Sequence, residues 1–416
     1  MTYKILSLDG GGTWALIQAC ALADLFPGQA GHEILGNFDL AIGTSGGAIT
    51  LAGLLKNLKP EDIRDLFLVE SNRRKIFQRT NLVEYLIDKS LGIGPKWDTQ
   101  AKLDGLTEIL DSGNTPRIAG MRFSALSGLV EAATDKKTQI IITGFEYDLN
   151  REAFFSSLPS KLANLPGFEP TLAGAVHASS NAPVNYFDGP AIVTCSQGSA
   201  PRRFWDGAIG GYNNPVFHGV IEALSSGVAP KDVVALSIGT GTVWQPLGKP
   251  RTGESKVLFR QAKDPSTLGD ITVLAESILD DPPDAATLNA HLVTSAPADK
   301  PRIIRMSPWI APWQPDGTWR LPDGFANFRN KDTPPGLLIA TDVFSALSAM
   351  PMDAVDDDDV NLIAGLAEQW IAGAIGNQPI QCDLATGACR IGHDAYPKAR
   401  SAWNDLTAPP IAGTSG

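Results

Sequence analysis

The chain is poor in the residues that build cross-linked or metal-bound scaffolds, with four cysteines and five histidines among 416 residues. Cys20 and Cys195 stand singly in apolar surroundings and read as core. Cys382 and Cys389 are close enough to suggest a pair, a question the sequence leaves open. No CxxC or HxxxH spacing occurs, so no metal site is expected. No apolar run reaches the roughly 18 residues that a membrane-spanning helix needs. Positive charge is short as well, with 34 Lys and Arg against 45 Asp and Glu and a net charge of −11. That balance argues against nucleic acid as a partner and against tight adsorption to an anionic membrane. Any membrane contact is therefore expected to be peripheral, local and apolar. The opening MTYKILSLDGGG has no basic or long apolar leader region, which leads us to expect a cytoplasmic location. No motif calls for a cofactor, and nothing specifies an oligomeric state.

What is present is a large apolar fraction, 43%, enough for one dominant core. Residues 3–8 (YKILSL) predict a strand, followed by Asp9 and three glycines and then by a helical stretch from Trp14 to Phe26. The pattern recurs with the apolar run 38–42, the loop Gly43-Thr44-Ser45-Gly46-Gly47 and a second helix. Further strands are predicted at 121–126, 139–148 and 232–242. Strand-loop-helix units of this kind predict an α/β fold in three layers, a mainly parallel central sheet flanked by helices. Residues 55–115 read as a polar helical region in which Arg73, Arg74, Lys75 and Arg79 form a solvated face. Residues 306–330, with Trp309, Trp313 and Trp319, read as an irregular surface loop. The run Asp356 to Asp359 is expected to cap the helix that follows it.

Three segments carry chemistry. Gly43 to Gly47 matches G-x-S-x-G and lies between a strand and a helix, where a sharp turn lifts the Ser45 hydroxyl clear of the backbone. Asp9-Gly10-Gly11-Gly12 offers unobstructed amides to an anion. That anion is either the oxyanion of an acyl-transfer intermediate or a nucleotide phosphate, because LDGGGT and SIGTGT also resemble phosphate loops of the actin-like sugar kinases. Trp205-Asp206-Gly207-Ala208 presents an acid among small residues, suited to close approach by another loop; by itself it could equally be a turn aspartate.

Together these segments resemble the patatin-like phospholipase family, whose pattern is a DGGG loop, a GxSxG elbow and a DGG or DGA aspartate followed by NNP. Residues 142–155, 175–187 (AVHASSNAPVNYF) and ALSIGTGT extend the resemblance across roughly residues 1–372. It implies a patatin-like catalytic domain over 1–372 with a helical cap at about 55–115, and an extension over 373–416. It implies Ser45 as nucleophile, Asp206 as base, and an oxyanion hole from the amides of Gly10, Gly11, Gly12 and Gly46. Asp9, Gly43, Gly47, Gly207 and Ala208 would support these groups. The implied activity is a serine lipid acyl hydrolase, phospholipase A or a less specific esterase, acting on acyl-lipid or ester substrates in lipid catabolism. The chain departs from the family's DGGGxRG or DGGGxKG in having Trp14 for the basic residue and Ala15 for the next glycine. Trp14 is thus a candidate substrate-lining residue that shifts preference toward neutral esters, and His177, at a family arginine position, is another. An acyltransferase would share every one of these residues.

Overall fold

Buried apolar runs bounded by Gly, Asp or Asn form the framework of the protein. The computed structural model describes residues 2–79, 96–113, 115–159, 167–183, 186–195, 200–261, 282–295, 300–329, 336–383 and 385–408. Its strands include β1 (Tyr3–Leu8), β2 (Leu40–Gly43), β3 (Gln139–Glu146), β4 (Arg151–Ser156), β5 (Ala191–Val193), β6 (Arg202–Asp206), β7 (Val233–Ile238), β8 (Thr242–Val243) and β9 (Ile303–Met306). All but β8 join one sheet in the order β5-β6-β3-β2-β1-β7-β9, with β4 added to β3. The pairs β1/β2, β1/β7, β2/β3 and β7/β9 are parallel. Only β4, β5 and β6 run antiparallel to their neighbours.

Successive side chains of a strand point to opposite faces, and both faces are covered here. Leu6, Leu8, Ile140 and Ile142 pack into one apolar cluster with Leu16–Leu25, Gly46–Leu55 and Leu172–Ser179. Ile5, Ile42 and Ile141 pack on the other side against Val216–Ser225. The result is the expected α/β arrangement of a mostly parallel sheet between helices.

Several local expectations need correction. Residues 121–126 do not form a strand: Phe123, Leu126 and Val130 are buried at helical spacing, and the segment enters the helix Leu126–Thr134. The basic cluster is not uniformly solvated either. Arg73 is buried and donates to the carbonyls of Phe67, Leu68 and Val355 and to the Asp357 carboxylate. That contact joins it to the helix Asp357–Ile371, where Asp356 holds the N-cap position without a side-chain capping bond and Asp357, Asp358 and Asp359 occupy the first turn. In the tryptophan-rich stretch Trp319 is buried, whereas Trp313 is exposed beneath the Arg320 guanidinium.

At the C-terminal end, Cys382 and Cys389 are opposed partners in the hairpin of Gln381–Asp383 and Ala388–Ile391, and both are free thiols. The helix Tyr396–Thr407 packs back onto the main core. There Trp403 stacks on Phe38 and the Tyr396 hydroxyl donates to Asp24. Residues 80–95 of the expected cap and 409–416 of the tail lie outside the described residues. Among the described residues no helix is long and apolar enough to cross a membrane.

Candidate active site

The sheet brings two distant loops together through β3. One edge of β3 pairs with β4, and the other takes β2 and then β6: Ile142 faces Gly43, and two residues later Gly144 faces Asp206. β2 and β6 therefore end head to head, so that the turn leaving β2 and the last residue of β6 meet. Thr143 lies between the two pairs. Its hydroxyl is 2.8 Å from Thr44 Oγ1, which donates to the Tyr212 carbonyl at 2.6 Å. An added Cβ at Gly207 would stand 2.1 Å from Thr143 Oγ1, so glycine is what lets the Asp206 turn close over β3.

Ser45 sits at this junction with φ 52° and ψ −118°, immediately before the helix Gly46–Leu55. This left-handed turn for a non-glycine residue is strained and is held by its surroundings. The Ser45 N–H donates to Ser179 Oγ at 2.9 Å. The Ser45 hydroxyl and the Asp206 carboxyl group line the same chamber, and the hydroxyl lowers the proton affinity of that carboxyl. Asp206 is itself fixed at both ends: its N–H donates to the Asn181 carbonyl at 3.0 Å, and its Oδ1 accepts from the Ala208 N–H at 2.9 Å. Burial pushes the Asp206 carboxyl up to about 6, against the opposing pull of the Ala208 amide, the Ser45 hydroxyl and the Lys102 charge.

A mostly apolar chamber opens on this pair, with Gly11, Gly12 and Gly46 on one side and Tyr186, Phe187 and Ile49 around it. Gly46 packs so tightly that an added Cβ would lie 2.6 Å from the Gly12 carbonyl oxygen, which joins the glycine loop to the elbow. Gly10 differs from its neighbours. Its N–H donates to the Asn213 carbonyl at 2.8 Å, which removes it from the expected set of oxyanion donors. Gly43, Gly47 and Ala208 support the turns, and Asp9 lies beneath the loop. There its carboxylate pairs with Arg305 at 2.7 Å, both groups being buried.

The two candidate lining residues are not brought to the chamber. Trp14 is buried in the core, donates from Nε1 to the Pro351 carbonyl, and lines a second, more polar cavity behind the glycine loop with Asp9 and Arg305. It turns there because its 3-10 segment, Gly12–Ala15, leads straight into the buried helix Leu16–Leu25. His177 is buried in the last turn of its helix, which ends at Ser179. Burial and the Lys102 charge push its imidazole well below the usual range, toward the neutral form.

Sequence reasoning missed Thr143, Ser179, Asn181 and Asn213, which hold the loops of the site in place. Ser179 and Asn181 lie within AVHASSNAPVNYF, but only the fold shows what their side chain and carbonyl hold. Among the described residues no group of three or more His, Cys, Asp or Glu could hold a metal ion.

A strand-turn-helix serine facing a buried carboxyl group across a mainly parallel α/β sheet defines the class of elbow-type α/β proteins. Residues 6–219 match the family described as patatin-like phospholipase, and the chain belongs to that family. It is 29% identical over 249 residues to a cGAMP-activated phospholipase of Pseudomonas aeruginosa (strain BWHPSA011 / Pa011), covering 58% of this chain and 63% of that one. The chain thus spans less than two thirds of that relative's length. Among solved structures, VipD from Legionella pneumophila is similar with a TM-score of 0.34 and 9% identity, over 88% of this chain and 67% of that one.

Proposed function

We propose that the chain is a serine lipid acyl hydrolase that cleaves fatty-acyl esters with Ser45 as nucleophile and Asp206 as its base. The observation that carries this reading is the meeting of the Ser45 turn and the buried Asp206 carboxyl group in one apolar chamber. A carboxylate is an effective base for a hydroxyl when its proton affinity is raised toward the working pH, and burial does that here. As Ser45 Oγ attacks the acyl carbonyl, Asp206 takes its proton. The amides of Gly11, Gly12 and Gly46 face the oxyanion, and the proton returns to the departing alcohol. Water, activated by the same carboxylate, then cleaves the acyl-enzyme.

The acyl tail has a seat. An apolar crevice shares Gly12, Ile49, Ile76 and Phe77 with the chamber and continues past Ala52 toward Leu106 and Ile109 of the helix Thr99–Asp111. Lys56, at its wall, is occupied by the carbonyls of Leu110 and Ser112, so it presents no bare charge to a hydrocarbon. The burial of Trp14 also removes the reason for expecting it to disfavour phospholipids at the mouth. An acyltransferase would use the same groups, with an alcohol in place of water.

The deciding experiment is fluorophosphonate labelling with peptide mapping, combined with turnover of phospholipid and neutral glycerolipid vesicles. Labelling of Ser45, and loss of turnover in Ser45→Ala and Asp206→Asn variants that remain folded, are expected. Full activity in either variant would overturn the reading, and acyl transfer to an added alcohol in preference to water would make the protein a transferase.

A further inference from the structure

The segment between the helices Ala340–Ala349 and Asp357–Ile371 is fastened to the residues that continue the glycine loop. The Thr13 N–H donates to the Met352 carbonyl at 2.8 Å, Thr13 Oγ1 to the Ala354 carbonyl at 2.8 Å and Trp14 Nε1 to the Pro351 carbonyl at 3.2 Å. Arg73 Nε donates to the next carbonyl, that of Val355, at 2.8 Å. Asp353, in the middle of this segment, is thus held in a fixed relation to the glycine loop. It lines the chamber that contains Ser45 and Asp206.

The two oxygens of the Asp353 carboxyl group are used unequally. Oδ2 accepts from Trp97 Nε1 at 2.7 Å and from Lys96 Nζ at 3.2 Å. Oδ1 is buried as well, in a residue only 6% exposed, and among the described residues it has no hydrogen-bond partner. A buried acceptor without a donor is costly, and the apolar side chains of the chamber, Ile49, Phe77, Phe187 and Met352, have none to give. Lys96 already supplies the counter-charge, so the chemistry that completes Oδ1 is a neutral donor rather than a second cation, which Lys96 would repel. The Lys96 ammonium is itself half-exposed and lies 5.6 Å from the ring centroid of Tyr186, another lining residue. The carboxyl group therefore stands where the chamber meets solvent. It takes no part in the apolar crevice assigned to the acyl chain, so what reaches it is the alcohol portion of the ester.

We propose that Asp353 Oδ1 is a hydroxyl-binding subsite of the chamber, which selects esters whose alcohol portion keeps a free hydroxyl: partly acylated glycerolipids over fully acylated ones. This rests on the reading of Ser45 as the nucleophile. A glycerol hydroxyl donates to Oδ1 and completes its bonding. A second ester group at the same place offers only acceptor oxygens and leaves the carboxyl group unpaired, the situation in which a polar site rejects an analogue most strongly.

The test compares monolauroylglycerol with its dimethyl ether in the same detergent micelle, since the ether keeps the oxygens and loses the hydroxyl protons. Wild type should show a kcat/KM at least about tenfold higher for the free diol, the worth of a hydrogen bond to a charged group. Asp353→Asn is nearly isosteric. Its amide oxygen can keep the Trp97 bond while its NH2 group faces the chamber, a donor that an ether oxygen satisfies as well as a hydroxyl does. The preference should therefore shrink at least about fivefold in the variant. No preference in wild type, or the same preference in both proteins, would overturn the proposal, because a merely structural role lowers both activities and leaves their ratio unmoved. The same comparison with lysophosphatidylcholine, its hydroxyl free or methylated, separates the two sources of such a hydroxyl. A preference in either series supports the subsite, and the series with the higher kcat/KM names the alcohol.

Calorimetric binding of dodecyl glyceryl ether, which has no ester to cleave, reads the subsite without turnover. Wild type should bind the diol at least about tenfold more tightly than its dimethyl ether, and this comparison needs no variant to fold. Equal affinities would overturn the subsite. If Ser45→Ala retained turnover, the catalytic reading would fail instead, and the binding comparison would still decide on Asp353.

Discussion

The backbone amide of Ser45 is held by the side chain of Ser179, 2.9 Å away and 134 residues later in the chain. Both residues are buried, and the amide belongs to a turn at φ 52° that the chain would not adopt unaided. Ser179→Ala leaves that N–H without its partner. We predict a loss of about 1–3 kcal/mol in unfolding free energy, the cost of a buried unsatisfied donor. Because the serine then drifts from Asp206, kcat should fall while KM changes little. Denaturant melts and ester kinetics check both; unchanged kcat and stability would show that the anchor is dispensable.

The pH dependence follows from Asp206. Its carboxyl is held at about 6, and the proposed base works only when ionised, so kcat/KM should rise with pH through about 6 and level off above it. Activity is thus lost on acidification, in the direction of protonating the base. A profile measured on a substrate without titratable groups checks this. An acidic limb near pH 4, the range of an ordinary carboxylate, would mean that the observed base is not a buried carboxyl group.

Legibility in the sequence divides along local and long-range lines. The apolar runs and the glycine-flanked Ser45 are local signals, so the strands β1, β2, β3 and β7 and the elbow could be read directly. Residues 121–126 could not, since six residues of mixed polarity fit either period and only the burial of Leu126 and Val130 decides for helix. The Ser45 partner Asp206 came from family resemblance, because nothing near Trp205 distinguishes a base from a turn aspartate. Ser179 was illegible for a deeper reason. Its role exists only after residues 179–181 bridge the turn after β2 and the end of β6, and a buried side chain carries the same letter as a solvated one. Arg73 gave the opposite error for that reason, reading as part of a basic surface while lying in the core.

The Asp9–Arg305 pair beneath the glycine loop gives a stability prediction. The two groups meet at 2.7 Å, and Arg305 also donates to Ser237 and Gln378. Asp9→Asn would leave a guanidinium buried without its counter-charge, which typically costs about 3–5 kcal/mol. Arg305→Met should be similarly damaging through the abandoned carboxylate. The double variant should be less destabilised than the two losses added together, since it abandons neither charge. Calorimetric melting of the four proteins measures this, and additive losses would show that the two residues stabilise the loop independently.

The apolar crevice predicts acyl-chain selectivity at Ala52. This side chain is buried in the wall of the crevice, beyond the part shared with the Ser45 chamber. Ala52→Leu fills space that a long chain would occupy and leaves the vicinity of Ser45 untouched. Each methylene denied burial forfeits about 0.8 kcal/mol of binding, so loss of two contacts already amounts to more than tenfold. With p-nitrophenyl palmitate, kcat/KM should therefore fall at least about tenfold, while p-nitrophenyl butyrate, too short to reach the leucine, should change by less than about threefold. Overpacking could by itself cost about 1–3 kcal/mol of stability, so the comparison is made well below the variant's melting transition. Equal losses on both esters would place the acyl tail elsewhere. A selective loss on palmitate would support the route past Ile49 and Phe77 as its seat.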